Sequence, residues 1–127
     1  EEAIRRAEAF GNAGADILFV ESPESRDEMA EVCRSLKKPC IANMADGGRT
    51  PILPAAELQE LGYALAIWPA LGFLSMGAAV AHAYKRFKET GSSTHDDVPL
   101  YNFQDFSKLM GFQEIWDFEE RHKEVAE

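Results

Sequence analysis

Three short apolar runs, opening near residues 15, 39 and 63, recur about every 24 residues and constrain this chain more than any other feature. Each is too short for a buried helix and is closed by turn residues. Asp16-Ile17-Leu18-Phe19-Val20-Glu21 ends at Ser22-Pro23, Cys40 to Met44 runs into a glycine loop, and Tyr63 to Trp68 stops at Pro69. The runs are apolar almost throughout, which predicts parallel strands covered on both faces. Helical patterns alternate with them. Ile4, Ala7 and Phe10 recur at helical spacing before Gly11 and Gly14, and Ser25 with Glu28 reads as a capping box ahead of the stripe Met29, Val32, Cys33 and Leu36. Leu58 and Leu61 face inward between Pro54 and a C-terminal Gly62, and a long helix is predicted from about Leu71 to Glu89.

Strand-helix units of this length, joined by right-handed crossovers, suit a (β/α)8 barrel. Such a barrel takes about 250 residues. Three units and a leading helix within 127 residues therefore amount to about half of one, an α/β fold. The expected organisation is a half-barrel over residues 1–90, a polar linker over 91–99 and a helical arm over 100–127. In the arm, helices are predicted from Asn102 to Met110, with Phe103, Phe106, Leu109 and Met110 as a stripe, and from Phe112 to Val125, around Ile115, Trp116 and Phe118. Helices this apolar need a surface to cover, either their own barrel or a neighbouring subunit. The first residue is Glu1 in mid-pattern rather than methionine, which predicts a longer polypeptide.

A net charge of −9 argues against a nucleic-acid groove or an anionic membrane surface as partner. The most apolar stretch, Tyr63 to Ala83, is broken by Pro69 and is not a membrane span. Cys33 and Cys40 follow no metal-ligand spacing and read as buried free thiols in a reducing compartment, and no signal pattern precedes the first helix. The location expected is the cytoplasm.

In a barrel, side chains at strand C-termini face the active site. Glu21, Asn43 and Pro69 hold those positions. A carboxylate such as Glu21 can act as a base, hold a water or orient a substrate hydroxyl, or it can cap the turn that follows. Asn43 can grip an oxygen-rich substrate or satisfy loop backbone. Gly47 and Gly48 allow backbone to approach a ligand or simply permit positive φ, and Arg49 offers a fork for a carboxylate or a solvated loop charge. His82, His95 and His122 assemble no catalytic set. Glu24, Asp27, Glu28 and Glu31 form a solvated helix face, and no carboxylates cluster at metal-ligand spacing.

Several motifs, in order and at the right separations, resemble the isocitrate lyase and phosphoenolpyruvate mutase superfamily. They are Arg6-Ala7-Glu8-Ala9-Phe10, Ala13-Gly14-Ala15-Asp16, Leu18-Phe19-Val20-Glu21, Pro39 to Met44, Gly47-Gly48-Arg49-Thr50-Pro51, Leu61-Gly62-Tyr63 and Trp68-Pro69. The resemblance covers most of residues 3–87 and implies the C-terminal half of a Mg²⁺-dependent TIM barrel with a helical extension swapped onto a partner. It implies a small anionic carboxylate substrate cleaved through an enolate, with Glu21 near the reacting hydroxyl as catalytic residue. Asn43 would lie on a substrate carboxylate, with Gly47, Gly48, Arg49 and Pro69 as further substrate-binding positions. It implies metal ligands outside this segment and a homodimer or homotetramer built through the C-terminal helices.

Methylisocitrate lyases carry an arginine where this chain has Leu74, which argues against a tricarboxylate. The expected function is therefore a lyase that splits a C–C bond of a small 2-hydroxy dicarboxylate, of 2-alkylmalate or methylisocitrate type, to release a 2-oxo acid such as pyruvate. The alternatives are a phosphonate P–C bond enzyme, an oxaloacetate decarboxylase, or a catalytically incomplete half-barrel that acts only in assembly.

Overall fold

A computed structural model describes residues 1–123. The chain divides into two compact units at Ala78/Ala79. The first holds α1 (Glu2–Asn12), β1 (Leu18–Phe19), α2 (Arg26–Ser35), β2 (Cys40–Asn43), α3 (Ala55–Leu61) and β3 (Leu65–Ile67). Helix α4 (Leu71–Thr90) crosses the division, and α5 (Phe103–Leu109) and α6 (Phe112–Arg121) belong to the second unit.

The three strands form one parallel sheet in the order β1-β2-β3, so the alternating strand and helix pattern is an α/β architecture as expected. Phe19 pairs with Ile41, and Ile41 with Leu65, an offset of 22 residues on one side of β2 and 24 on the other. The ladder is shorter than the apolar runs, but single bonds extend it. Leu18 donates to the Pro39 carbonyl at 2.8 Å and Met44 to that of Ile67 at 2.8 Å.

Along β2 and into the next residue, Cys40, Ala42 and Met44 are buried while Ile41 and Asn43 are only half-buried. The buried set joins Leu18 of β1, Ala7 of α1, Met29, Val32 and Leu36 around α2, and Leu58 and Tyr63 around α3 in one core. That face of the sheet is covered. On the other, Phe19, Leu65 and Ile67 stay exposed, so the expected cover on both faces is present on one face only among the described residues. The α1 stripe is also narrower than its spacing predicts. Ile4 and Ala7 pack against the core, but Phe10, on the last turn, is 58% exposed.

Local signals place the helices. Glu28 donates its backbone N–H to Ser25 Oγ at 3.1 Å, and Glu28 Oε2 accepts from the Glu24 amide at 2.7 Å, one residue before the partner that a capping box uses. Gly62 ends α3 with φ +103°, and its amide reaches the Gln59 and Leu58 carbonyls. The position requires glycine twice over, since a Cβ there would also lie 3.2 Å from the Cys33 Cβ.

In the second unit, Asn102 caps α5 by accepting from the amides of Gln104 and Asp105. The 91–99 segment is anchored on the C-terminal part of α4: Asp97 lies 3.1 Å from Arg86 and 3.3 Å from His82, and Val98 is buried. Helix α6 ends at Arg121, and the part of the predicted helix from residue 124 to Val125 lies outside the described residues. No helix among the described residues is long and apolar enough to cross a membrane.

The Gly62→Ala variant of the full-length protein should lose about 1–3 kcal/mol of stability from left-handed strain and crowding at Cys33. Urea unfolding of the two proteins side by side measures the loss.

Candidate functional site

The register of β1 on β2 determines which residues meet at the end of the sheet. Phe19 stands opposite Ile41, so two residues further along each strand, on the same face, Glu21 comes beside Asn43. Asn43 Nδ2 lies 3.5 Å from Glu21 Oε2. The other amide atom, Oδ1, is buried and has no hydrogen-bond partner among the described residues. With Oδ1 turned inward, the NH₂ group is the part of the amide left facing Glu21. An amide nitrogen carries two protons, so one can address the carboxylate while the second stays available to a ligand.

The chain leaves this point through an unusual turn. Ser22, with φ +59°, is the only non-glycine residue of positive φ among the described residues, and Pro23 follows it. Its Oγ lies 3.4 Å from Glu21 Oε1. Behind the pair, the buried Met29, Ala42 and Met44 leave a gap with no room for a water molecule. Ser22 was not a candidate from the sequence. The Ser-Pro dipeptide at the strand end was the one available signal for it, since a residue before proline has a restricted backbone.

The remaining candidates lie apart from the Glu21–Asn43 pair. Gly47 has φ +80° and Gly48 donates to the Ala45 carbonyl at 3.0 Å, so Ala45 to Gly48 form a turn that needs glycine at its third position. A Cβ on Gly48 would meet the Ala45 carbonyl oxygen at 3.0 Å. Arg49 Nη1 sits 3.1 Å from Glu24 Oε1, and both side chains are more than half exposed. Pro69 is exposed beyond the end of β3, where Leu71 donates to the Trp68 carbonyl at 3.4 Å and starts α4.

Magnesium takes near-octahedral oxygen ligands, usually one or two carboxylates with waters and substrate oxygens. Among the described residues no three His, Cys, Asp or Glu side chains converge, and Glu21 is the one carboxylate beside Asn43. These residues do not compose a magnesium site.

At the other end of the strands the chemistry is inert. Burial, and then the neighbouring Cys40, push the Cys33 thiol up to about 11, and burial raises Cys40 as well. Burial together with the two sulfurs raises the Tyr63 phenol. Because the thiolate is the attacking form, alkylation of Cys33 at pH 8 should run about a hundredfold slower than for a free thiol and keep accelerating toward pH 11. Mass-resolved iodoacetamide labelling across pH measures it. Arg49→Ala should change stability by no more than about 0.5 kcal/mol, because its ion pair is solvated at both ends. Equilibrium denaturation provides that comparison.

The phosphoenolpyruvate phosphomutase family model matches residues 1–88. Among curated relatives, 2,3-dimethylmalate lyase of Eubacterium barkeri is 34% identical over 122 residues, covering 96% of this chain and 42% of its own length. The 2-methylisocitrate lyase of Aeropyrum pernix is 33% identical over 126 residues, covering 99% of this chain and 40% of its own. A crystal structure of 2,3-dimethylmalate lyase, a member of the PEP mutase/isocitrate lyase superfamily, superposes with a TM-score of 0.82 at 28% identity, over 96% of this chain and 43% of that one. The chain thus spans about two fifths of the length of the relatives it matches.

Proposed function

The chain belongs to the phosphoenolpyruvate phosphomutase family, and from that premise we propose that the protein is a carbon–carbon lyase acting on a small 2-hydroxy dicarboxylate. The substrate class is that of the 2-alkylmalates, and the product is a 2-oxo acid such as pyruvate. The observation that carries this reading is the Glu21 carboxylate held 3.5 Å from the Asn43 amide at the ends of adjacent parallel strands. It is supported by the relatives that are lyases of 2,3-dimethylmalate and 2-methylisocitrate.

In such a cleavage the proton leaves the 2-hydroxyl, the oxygen forms a carbonyl, and the electron pair of the C–C bond passes to the neighbouring carbon as an enolate. Glu21, exposed at the strand end, takes or orients that hydroxyl proton directly or through a water. Asn43 donates its second amide proton to a substrate carboxylate, which sets the substrate against Glu21. Gly47, Gly48, Arg49 and Pro69 bound the same end of the sheet. The reading includes a requirement for Mg²⁺, whose chemistry is the polarisation of substrate oxygens as a Lewis acid. The cytoplasm is the proposed location.

The architecture proposed is half of a (β/α)8 barrel over residues 1–90, with the 91–99 segment linking to an arm that swaps onto a partner in a homodimer or homotetramer. The open apolar face of Phe19, Leu65 and Ile67 fits a barrel interior. Phe103, Leu109 and Phe118, all more than half exposed on α5 and α6, fit a subunit contact.

The test is product release by the full-length protein from 2-alkylmalates, assayed as pyruvate, beside phosphonates, assayed as phosphate, and oxaloacetate. Pyruvate release is expected, with Glu21→Gln lowering kcat about 10²- to 10⁴-fold. Turnover of phosphonates alone would move the protein to P–C chemistry, enzymatic turnover of oxaloacetate alone to decarboxylation, and no turnover of any of the three would leave a role in assembly. A Glu21→Gln enzyme as fast as the parent removes Glu21 from the mechanism.

A further inference from the structure

We propose that Ser22 is a positioning residue for Glu21, fixing the carboxylate through its left-handed backbone and its hydroxyl. The inference rests on the reading of Glu21 as catalytic. Two observations carry it.

The first is the backbone. Ser22 takes φ +59° with Pro23 directly after it. Side chains with a Cβ avoid the left-handed region, and a following proline pushes its neighbour toward extended conformations instead. Residues held in such a state persist only where the surrounding structure dictates the path, and they concentrate at functional sites. Here the path is short. Only Ser22, Pro23 and Glu24 separate Glu21 from Ser25, the cap of α2, while Val20 packs against the core behind it. The reversal at Ser22 lets the strand deliver Glu21 to its end and still bring the chain back to start the helix.

The second is the arrangement of donors. Ser22 Oγ faces Glu21 Oε1 at 3.4 Å, and Asn43 Nδ2 faces Oε2 at 3.5 Å. Each carboxylate oxygen has one donor, on opposite sides of the group. Both contacts are at the long limit of hydrogen bonding, so they orient the carboxylate without occupying it, and lone pairs remain on each oxygen for a substrate hydroxyl. A donor toward each oxygen biases the plane of the carboxylate, where one alone would leave it free to turn about the contact.

Backbone and hydroxyl can be separated by substitution. Ser22→Gly removes the hydroxyl and relieves the left-handed strain, because glycine adopts positive φ freely. Ser22→Ala removes the hydroxyl and keeps the strain. In the full-length protein assayed for pyruvate release from a 2-alkylmalate, Ser22→Ala is expected to lose about tenfold in kcat and Ser22→Gly more than that, each with KM within about twofold, the pattern of an interaction that matters in the transition state. Ser22→Gly should at the same time unfold at a higher temperature than the parent. A residue that served folding alone would not give a more stable and slower enzyme. If either variant turns over at the parental kcat while Glu21→Gln is impaired, the role of Ser22 is overturned and that of Glu21 stands. If Glu21→Gln itself matches the parent, the catalytic reading of Glu21 fails and takes this inference with it.

Discussion

The first unit depends on the double parallel pairing of β2. Its four residues bond to β1 on one side and β3 on the other, and among the described residues no other strand is held on both edges. Because side chains alternate along a strand, that pairing sorts everything attached to it. Cys40 and Ala42 go to the helix side with Met29, Val32 and Leu58, and Ile41 and Asn43 go to the other. A slip of one residue would exchange the sets, placing Asn43 in an apolar core and Ala42 beside Glu21. The packing of α2 and α3 therefore fixes the register, and the register places the polar pair.

That dependence explains why the pair was readable from sequence while its immediate support was not. Glu21 and Asn43 announce themselves because each is a polar residue closing an apolar run, and the end of a parallel strand is a positional signal independent of detail. Gly62 was readable for the same kind of reason, since few residues accept a left-handed helix end. Ser22 carries no such mark. Serine is ordinary in turns, and its φ of +59° follows from how β1 and α2 are tied to the core, a property of the assembled unit. Arg49 went the other way. Beside two glycines it reads equally well as a ligand fork or a loop charge, and in the structure it faces Glu24 of the same surface.

The cover of the sheet departs from the expectation for a related reason. Continuous apolar runs predict cover on both faces, and the runs at Phe19 and Leu65–Ile67 are apolar on a face that the described residues leave open. Sequence periodicity records what a residue is suited to meet, and solvent exposure records what the surrounding chain supplies. The two agree on the helix side, where α1, α2 and α3 provide the cover. They part on the opposite face and again on α5 and α6, whose aromatic stripes lie mostly open to solvent.

The same strands carry two chemically opposite ends. Where β2 begins, Cys40 lies with Cys33 and Tyr63 among apolar side chains, and loss of solvent holds all three in their neutral forms. Where β2 ends, Asn43 is half-buried and Glu21 exposed, so the carboxylate meets solvent while Asn43 and Ser22 reach it from the chain. Catalysis by a carboxylate needs both conditions, and a buried strand satisfies them together only at its terminus. Further along the strand Glu21 would be free to turn, and further in it would lose contact with solvent, as Cys40 does. The strained turn at Ser22 lets the chain stop there and turn back into α2 without carrying Glu21 past the point where Asn43 can reach it.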